Sequence, residues 1–195
     1  MVGPSILVTP MLEPQVSTVK GVFPGIGQGE VWYDWYTRTA VDAQPRVNTT
    51  IDAPLGHIPV YVRGGAVLPM QEPALTTKDA RQTPWSLLAA LGSDGTASGQ
   101  LYLDDGESLN PNATLDVDFW VKQSSLSVSA QGNWKEVNPL ANVTILGVSR
   151  EPSAVRLNGQ EVSADYDAQS HILSVTRLSR FTSDGAWGQN WVLQW

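Results

Sequence analysis

Apolar and polar residues alternate along most of the chain, and the stretch from Leu55 to Pro73 shows the pattern most plainly. Ile58, Val60 and Val62 alternate with His57, Pro59 and Tyr61, the period of two expected of a half-buried strand. Gly64-Gly65 interrupts the pattern where the backbone must turn without a side chain in the way. Ala66, Val67 and Leu68 resume extended chain, and Pro69 and Pro73 close it. The stretch divides the sequence into a small β unit before it and a second β unit after it.

Upstream, Ile6-Leu7-Val8 is a continuous apolar run, as in a strand covered on both faces. A buried strand with no lead-in implies that the sequence is part of something longer. Residues 15–23 predict a strand ending at Pro24, followed by a loop with Gly25, Gly27 and Gly29. Val31 to Arg38 predicts the next strand, with Val31, Tyr33, Trp35 and Thr37 on one face and Trp32, Asp34, Tyr36 and Arg38 on the other. The crowded aromatics there suit either a platform for stacking sugar rings or an ordinary core, and their alternation favours the core. A polar loop at 39–46 leads to a strand at 47–52.

Downstream of Gln71 the pattern changes. Thr76-Thr77-Lys78-Asp79 predicts a short helix with Thr76 as N-cap, stopped by Pro84. Trp85 to Leu91 is predicted to be a buried strand because the Ser93-Asp94-Gly95 turn follows at once, with Gly99 to Leu103 as its hairpin partner. Short alternating runs then recur. Leu115, Val117, Phe119 and Val121 face inward against Asp116, Asp118 and Lys122. Leu126, Val128 and Ala130 form another run, as do Val143 and Ile145. Val155 and Leu157 precede Asn158-Gly159, a two-residue hairpin signal. His171 to Thr176 and Trp187 to Trp195 finish the set, with Trp187, Trp191, Leu193 and Trp195 on one face. The fold class is therefore all-β, built of antiparallel β-sandwiches.

Composition bears on partners more than on fold. The 195 residues are 42% hydrophobic and 16% charged, enough to fill a core. A net charge of −7 argues against nucleic acid or an anionic membrane surface. No apolar run of about 18 residues is present to span a bilayer. The absence of cysteine excludes disulfides and thiolate metal sites. Asn48, Asn112 and Asn142 each begin an Asn-x-Ser/Thr sequon, and together they point to a secreted, extracellular glycoprotein.

Candidate chemistry is sparse. Asp104-Asp105-Gly106-Glu107-Ser108 is the densest acidic cluster. Paired carboxylates can act as general acid and base, or bind Ca²⁺, but Asp in a tight turn more often bonds its own backbone. His57 and His171 lie far apart with no zinc-type spacing. No nucleophile elbow or phosphate-cradling loop occurs. No catalytic, cofactor or metal residue is assigned to the chain.

Several segments together resemble the C-terminal part of glycoside hydrolase family 31, of the fungal α-glucosidase type. They are SILVTPMLEP (5–14), VWYDWYT (31–37), APLGHIPVYVRGGAVLPMQEPALTT (53–77) and GQLYLDDGESL (99–109), with VTILGV (143–148) before the Asn158-Gly159 turn. The resemblance implies two consecutive antiparallel β-sandwich domains, a proximal one over residues 1–75 and a distal one over residues 76–195, following a catalytic (β/α)₈ barrel, with residues 1–9 entering from that barrel. It implies a parent enzyme that releases terminal α-linked glucose from maltose-type oligosaccharides with retention. The two catalytic Asp residues of that family belong to barrel motifs with no counterpart here, so the chain alone is expected to be inactive. The expected partner is the catalytic-barrel chain of the same enzyme, which binds the α-glucan substrate; no cofactor is implied. Two alternatives remain open at this stage. One is an independent carbohydrate-binding module stacking sugars on Trp32, Trp35, Trp187 or Trp191. The other is a family 31 enzyme of different specificity, an α-xylosidase or glucosyltransferase.

Overall fold

The computed structural model describes every residue from Met1 to Trp195. The chain is all-β apart from one helical turn at Thr77–Ala80 and a 3-10 turn at Leu178–Arg180. The first five strands are β1 (Ile6–Val8), β2 (Thr18–Gly21), β3 (Trp32–Asp34), β4 (Thr49–Asp52) and β5 (Val60–Arg63). They form a three-stranded sheet in the order β1-β5-β3 and a two-stranded sheet β2-β4. Phe23, Trp32, Ile51 and Tyr61 fill the space between the two sheets.

The remaining strands make a larger sandwich. They are β6 (Ala66–Gln71), β7 (Trp85–Ala90), β8 (Ala97–Leu103), β9 (Leu115–Lys122), β10 (Ser125–Gly132) and β11 (Leu140–Leu146). Then come β12 (Arg156–Leu157), β13 (Gln160–Glu161), β14 (Ser163–Asp167), β15 (Ile172–Thr176) and β16 (Trp191–Gln194). One layer runs β13-β12-β16-β10-β9-β8 and the other β6-β7-β11-β15-β14. A single parallel bridge, Ala66 opposite Ser98, joins them at one corner. Between the layers lies a core of 27 buried residues, in which Val117, Phe119 and Val121 meet Leu87, Val143 and Ile145. Pairing is antiparallel except for that bridge and the β7–β11 ladder.

Much of the pattern is realised as the sequence suggests. Thr76 caps the short helix, its hydroxyl accepting from the Asp79 amide. The Asn158-Gly159 turn has positive φ at both residues, as a type I′ hairpin requires. Leu115, Val117, Phe119 and Val121 are all buried.

Four expectations are corrected. The strand predicted over Val31 to Arg38 ends at Asp34, because the Asp34 carboxylate accepts from the Tyr36 and Thr37 amides and folds the chain into a turn. Gly99 to Leu103 does not pair with Trp85 to Leu91. β7 already has β6 and β11 on its two edges, so β8 crosses to the opposite layer and pairs with β9. The half-buried strand around Val60 is covered on both sides: Tyr61 faces the β2–β4 sheet while Val62 faces the large sandwich. Trp187 lies in the loop before β16 rather than on the last strand.

The chain changes sheets at Gly64-Gly65, so β6 belongs to the large sandwich by its ladder with β7. The interface between the two parts is a small apolar cluster, Tyr33 and Val62 against Ala66, Leu88, Ala90 and Leu146. The Tyr33 hydroxyl donates to the Leu91 carbonyl at 2.8 Å, and burial pushes its pKa up to about 12. Gly147 completes the fit. Its φ is +84°, and a Cβ there would sit 2.3 Å from the Tyr33 oxygen.

Candidate functional site

The acidic turn after β8 is built to hold its own shape. Asp104 Oδ1 accepts from the Gly106 amide at 2.7 Å. Asp105 Oδ1 accepts from the Glu107 and Ser108 amides, and its Oδ2 from the Ser108 hydroxyl at 2.6 Å. Those bonds, the Ser108 hydroxyl foremost, lower the Asp105 pKa to about 2. A carboxylate that stays ionised so far below neutrality cannot donate a proton as a general acid. Arg81 donates to the Asp104 carbonyl from across the turn. The cluster is a set of Asp side chains closing a turn.

The two histidines are not brought together. His57 lies against the Tyr36 ring, with centroids 4.7 Å apart, and His171 Nδ1 lies 3.3 Å from the Tyr166 hydroxyl. No group of three His, Asp or Glu side chains converges in a metal-binding arrangement. Of the tryptophans considered for sugar stacking, Trp32, Trp187 and Trp191 are buried in the two cores. Trp187 makes edge contacts with Trp85 and Phe119 and stacks on Trp191. Trp35 is half-buried beneath the Arg38 guanidinium, 4.5 Å from its ring centroid. Trp32, Trp187 and Trp191 are core side chains, so none of these three offers an open platform.

The sequons differ in placement. Asn48 precedes β4 and Asn112 lies in the loop before β9, both exposed. Asn142 lies in β11, an interior strand, opposite Ser86 of β7, and is half-buried.

The concave feature with suitable chemistry lies elsewhere, where β6 and β8 part after their single bridge. A groove of about 680 Å³ opens there between the small module and the outer face of β8–β9. On one side Arg63 donates through Nε to Glu30 Oε2 at 2.7 Å and through Nη2 to Oε1, a two-pronged ion pair. On the other side stand Trp120, Asp118 and Gln100, with Gln100 Nε2 donating to Asp118 Oδ1 at 2.9 Å. Sequence reasoning passed over Trp120. It occupies a polar-parity position in β9, between Asp118 and Lys122, and an aromatic out of step with its neighbours was the available signal.

A small sandwich leaning on a larger one makes this an all-β protein of two packed parts. Residues 1–68 match the model described as Glycosyl hydrolase family 31 C-terminal domain. The chain is 72% identical over its full length to the α-glucosidase of Aspergillus niger and 49% identical to Glucoamylase 1 of Schwanniomyces occidentalis. It spans only 20% of each of those relatives. Among solved structures, the glucosidase II alpha subunit in its Tris-bound form superposes on 97% of the chain, and the chain covers 22% of that subunit. The TM-score is 0.79 at 21% identity, a likeness of fold.

Proposed function

We propose that the chain is the non-catalytic C-terminal part of a retaining α-glucosidase that releases terminal α-linked glucose from maltose-type oligosaccharides. The observation that carries this reading is full-length similarity at 72% identity to an α-glucosidase of which the chain is only 20%. The chemistry agrees. Retention needs two carboxyl groups about 5–5.5 Å apart, one of them able to give up a proton near neutral pH. The one dense acidic cluster in this chain has its carboxylates committed to a turn.

Its role is to pack on the catalytic barrel supplied by the rest of that enzyme. Nine of the fourteen exposed large apolar side chains fall within residues 1–65, among them Leu12, Val16, Val47, Leu55 and Ile58. A small module with so much uncovered apolar surface suits a docking element. We assign the division between a proximal and a distal domain to Gly64-Gly65 rather than to residue 75, because β6 ladders with β7 of the large sandwich, with residues 1–9 arriving from the barrel. We further assign the enzyme to the extracellular space, with glycans on Asn48, Asn112 and Asn142. Exposure of Asn48 and Asn112 supports the first two.

The test is an assay of the purified chain on a chromogenic α-glucoside, alone and after mixing with the rest of the enzyme. Glucose release that tracks the assembled complex is expected. Turnover by the chain alone overturns the reading. Intact mass before and after enzymatic removal of N-glycans checks the sequons.

A further inference from the structure

We propose that the groove between the Glu30–Arg63 ion pair and the outer face of β8–β9 binds a neutral oligosaccharide, with Trp120 as its stacking surface. Trp120 is 48% exposed. Its cross-strand neighbours on that face are Ser98 and Ser127, and Asp118 and Lys122 flank it along β9. An indole left in water among short polar side chains is unfavourable, and the C–H face of a pyranose ring would cover it.

Hydroxyl-binding groups stand beside the ring. Asp118 accepts only the Gln100 amide, so its remaining lone pairs are free for adjacent hydroxyls. Arg63 and Glu30 neutralise each other and hold each other in place. The groove thus offers fixed polar groups with little net charge, and the chain as a whole is acidic, with a net charge of −7. Both features favour a neutral ligand over a phosphorylated one.

Shape points the same way. The volume lies within the range of roughly 300–1,000 Å³ typical of small-ligand sites. Glycines let the backbones that form the floor pack closely. A Cβ on Gly99 would fall 2.1 Å from the Val67 carbonyl oxygen, and one on Gly64 would fall 2.7 Å from that of Leu91. Pro69 supplies no N–H where β6 lacks a partner on this side, so the edge does not invite another strand. Tyr102, also exposed, shares the outer face of β8 with Ser98 and Gln100. It lies four residues beyond Ser98, the partner of Trp120, or about 13 Å along the strand. Two aromatic rings at that separation, with an acid and an amide between them, fit an extended oligosaccharide rather than a single sugar.

This inference goes beyond the support role proposed above and does not depend on it. The test is calorimetric titration of the 195-residue chain with maltohexaose and, separately, cellohexaose. Binding to at least one is expected, and the preferred hexaose fixes the linkage class. Trp120→Ala should weaken that binding about tenfold, the scale of one lost aromatic contact. Trp120→Phe should keep most of the affinity, and Asp118→Ala should weaken binding without shifting the melting temperature. The proposal is overturned if neither hexaose binds, or if Trp120→Ala and Asp118→Ala bind as the parent does. Either failure leaves the support role standing, because that role is read by glucose release and not by sugar binding.

Discussion

The two parts of the chain solve the burial problem differently. The large sandwich closes on itself around 27 buried residues, with tryptophans stacked at its centre. The small module has only four buried residues between its own sheets and shares a further cluster with the sandwich. A few dozen residues around so small a core are marginal by themselves. The sandwich is therefore a self-sufficient fold, whereas the small module is held from outside. On one side the sandwich holds it, through Tyr33 and Val62. On the other, apolar side chains such as Leu12, Val47 and Leu55 are exposed.

The sharpest way to break the comparison is to damage the self-sufficient part. Trp187 is 1% exposed and touches Trp85, Phe119 and Trp191. Trp187→Ala should cost about 3–5 kcal/mol, the usual range for emptying a large aromatic site. Urea unfolding followed by tryptophan fluorescence should show the main transition collapse to low denaturant, and the small module should unfold with it.

A smaller change should uncouple the two parts. Gly147→Ala puts a methyl group where the Tyr33 hydroxyl now sits and forces a positive φ on a side-chain residue. The expected cost is about 1–3 kcal/mol. Limited proteolysis should then cut first within residues 1–65 while the sandwich stays intact.

Smaller still, the two parts should respond to opposite ends of the pH scale. Tyr33 and Tyr61, both in the small module, have pKa values pushed up from 10.0 to about 12 by burial. A raised phenol pKa means the folded state favours the neutral form. That stabilisation is whole below pH 10 and fades as pH rises toward 12. In the sandwich, the Asp105 carboxylate is held down to about 2, so its contribution is present above the ordinary value of 3.8 and lost as pH falls through 2. Melting followed by circular dichroism should show loss of the small module first in alkali. Asp105→Asn should flatten the acid limb of the sandwich transition.

The sandwich was the more legible half of the sequence. Alternation around Leu115 to Val121, the Thr76 cap and the Asn158-Gly159 turn are local signals, and each produced the local structure it implies. What escaped were choices made by distant partners. Gly99 to Leu103 looked like the near neighbour of Trp85 to Leu91, but β11 had taken that edge from more than fifty residues away. Asp34 ended a strand whose apolar alternation continued, because its carboxylate found two backbone amides. The groove was hidden for the same reason. Arg63 meets Glu30 from 33 residues away within the small module, while Trp120 arrives from β9 of the sandwich. No window of sequence contains all three.

Hydrogen–deuterium exchange, resolved by peptide mass, tests the central claim most directly. The 195-residue chain would be compared alone and mixed with the related Aspergillus niger α-glucosidase from which the matching segment has been removed. The account predicts fast exchange over residues 1–65 in the free chain, slow exchange in β7, β9 and β11 throughout, and new protection confined to the small module on mixing. Equal protection of both parts in the free chain, unchanged by the partner, would contradict it.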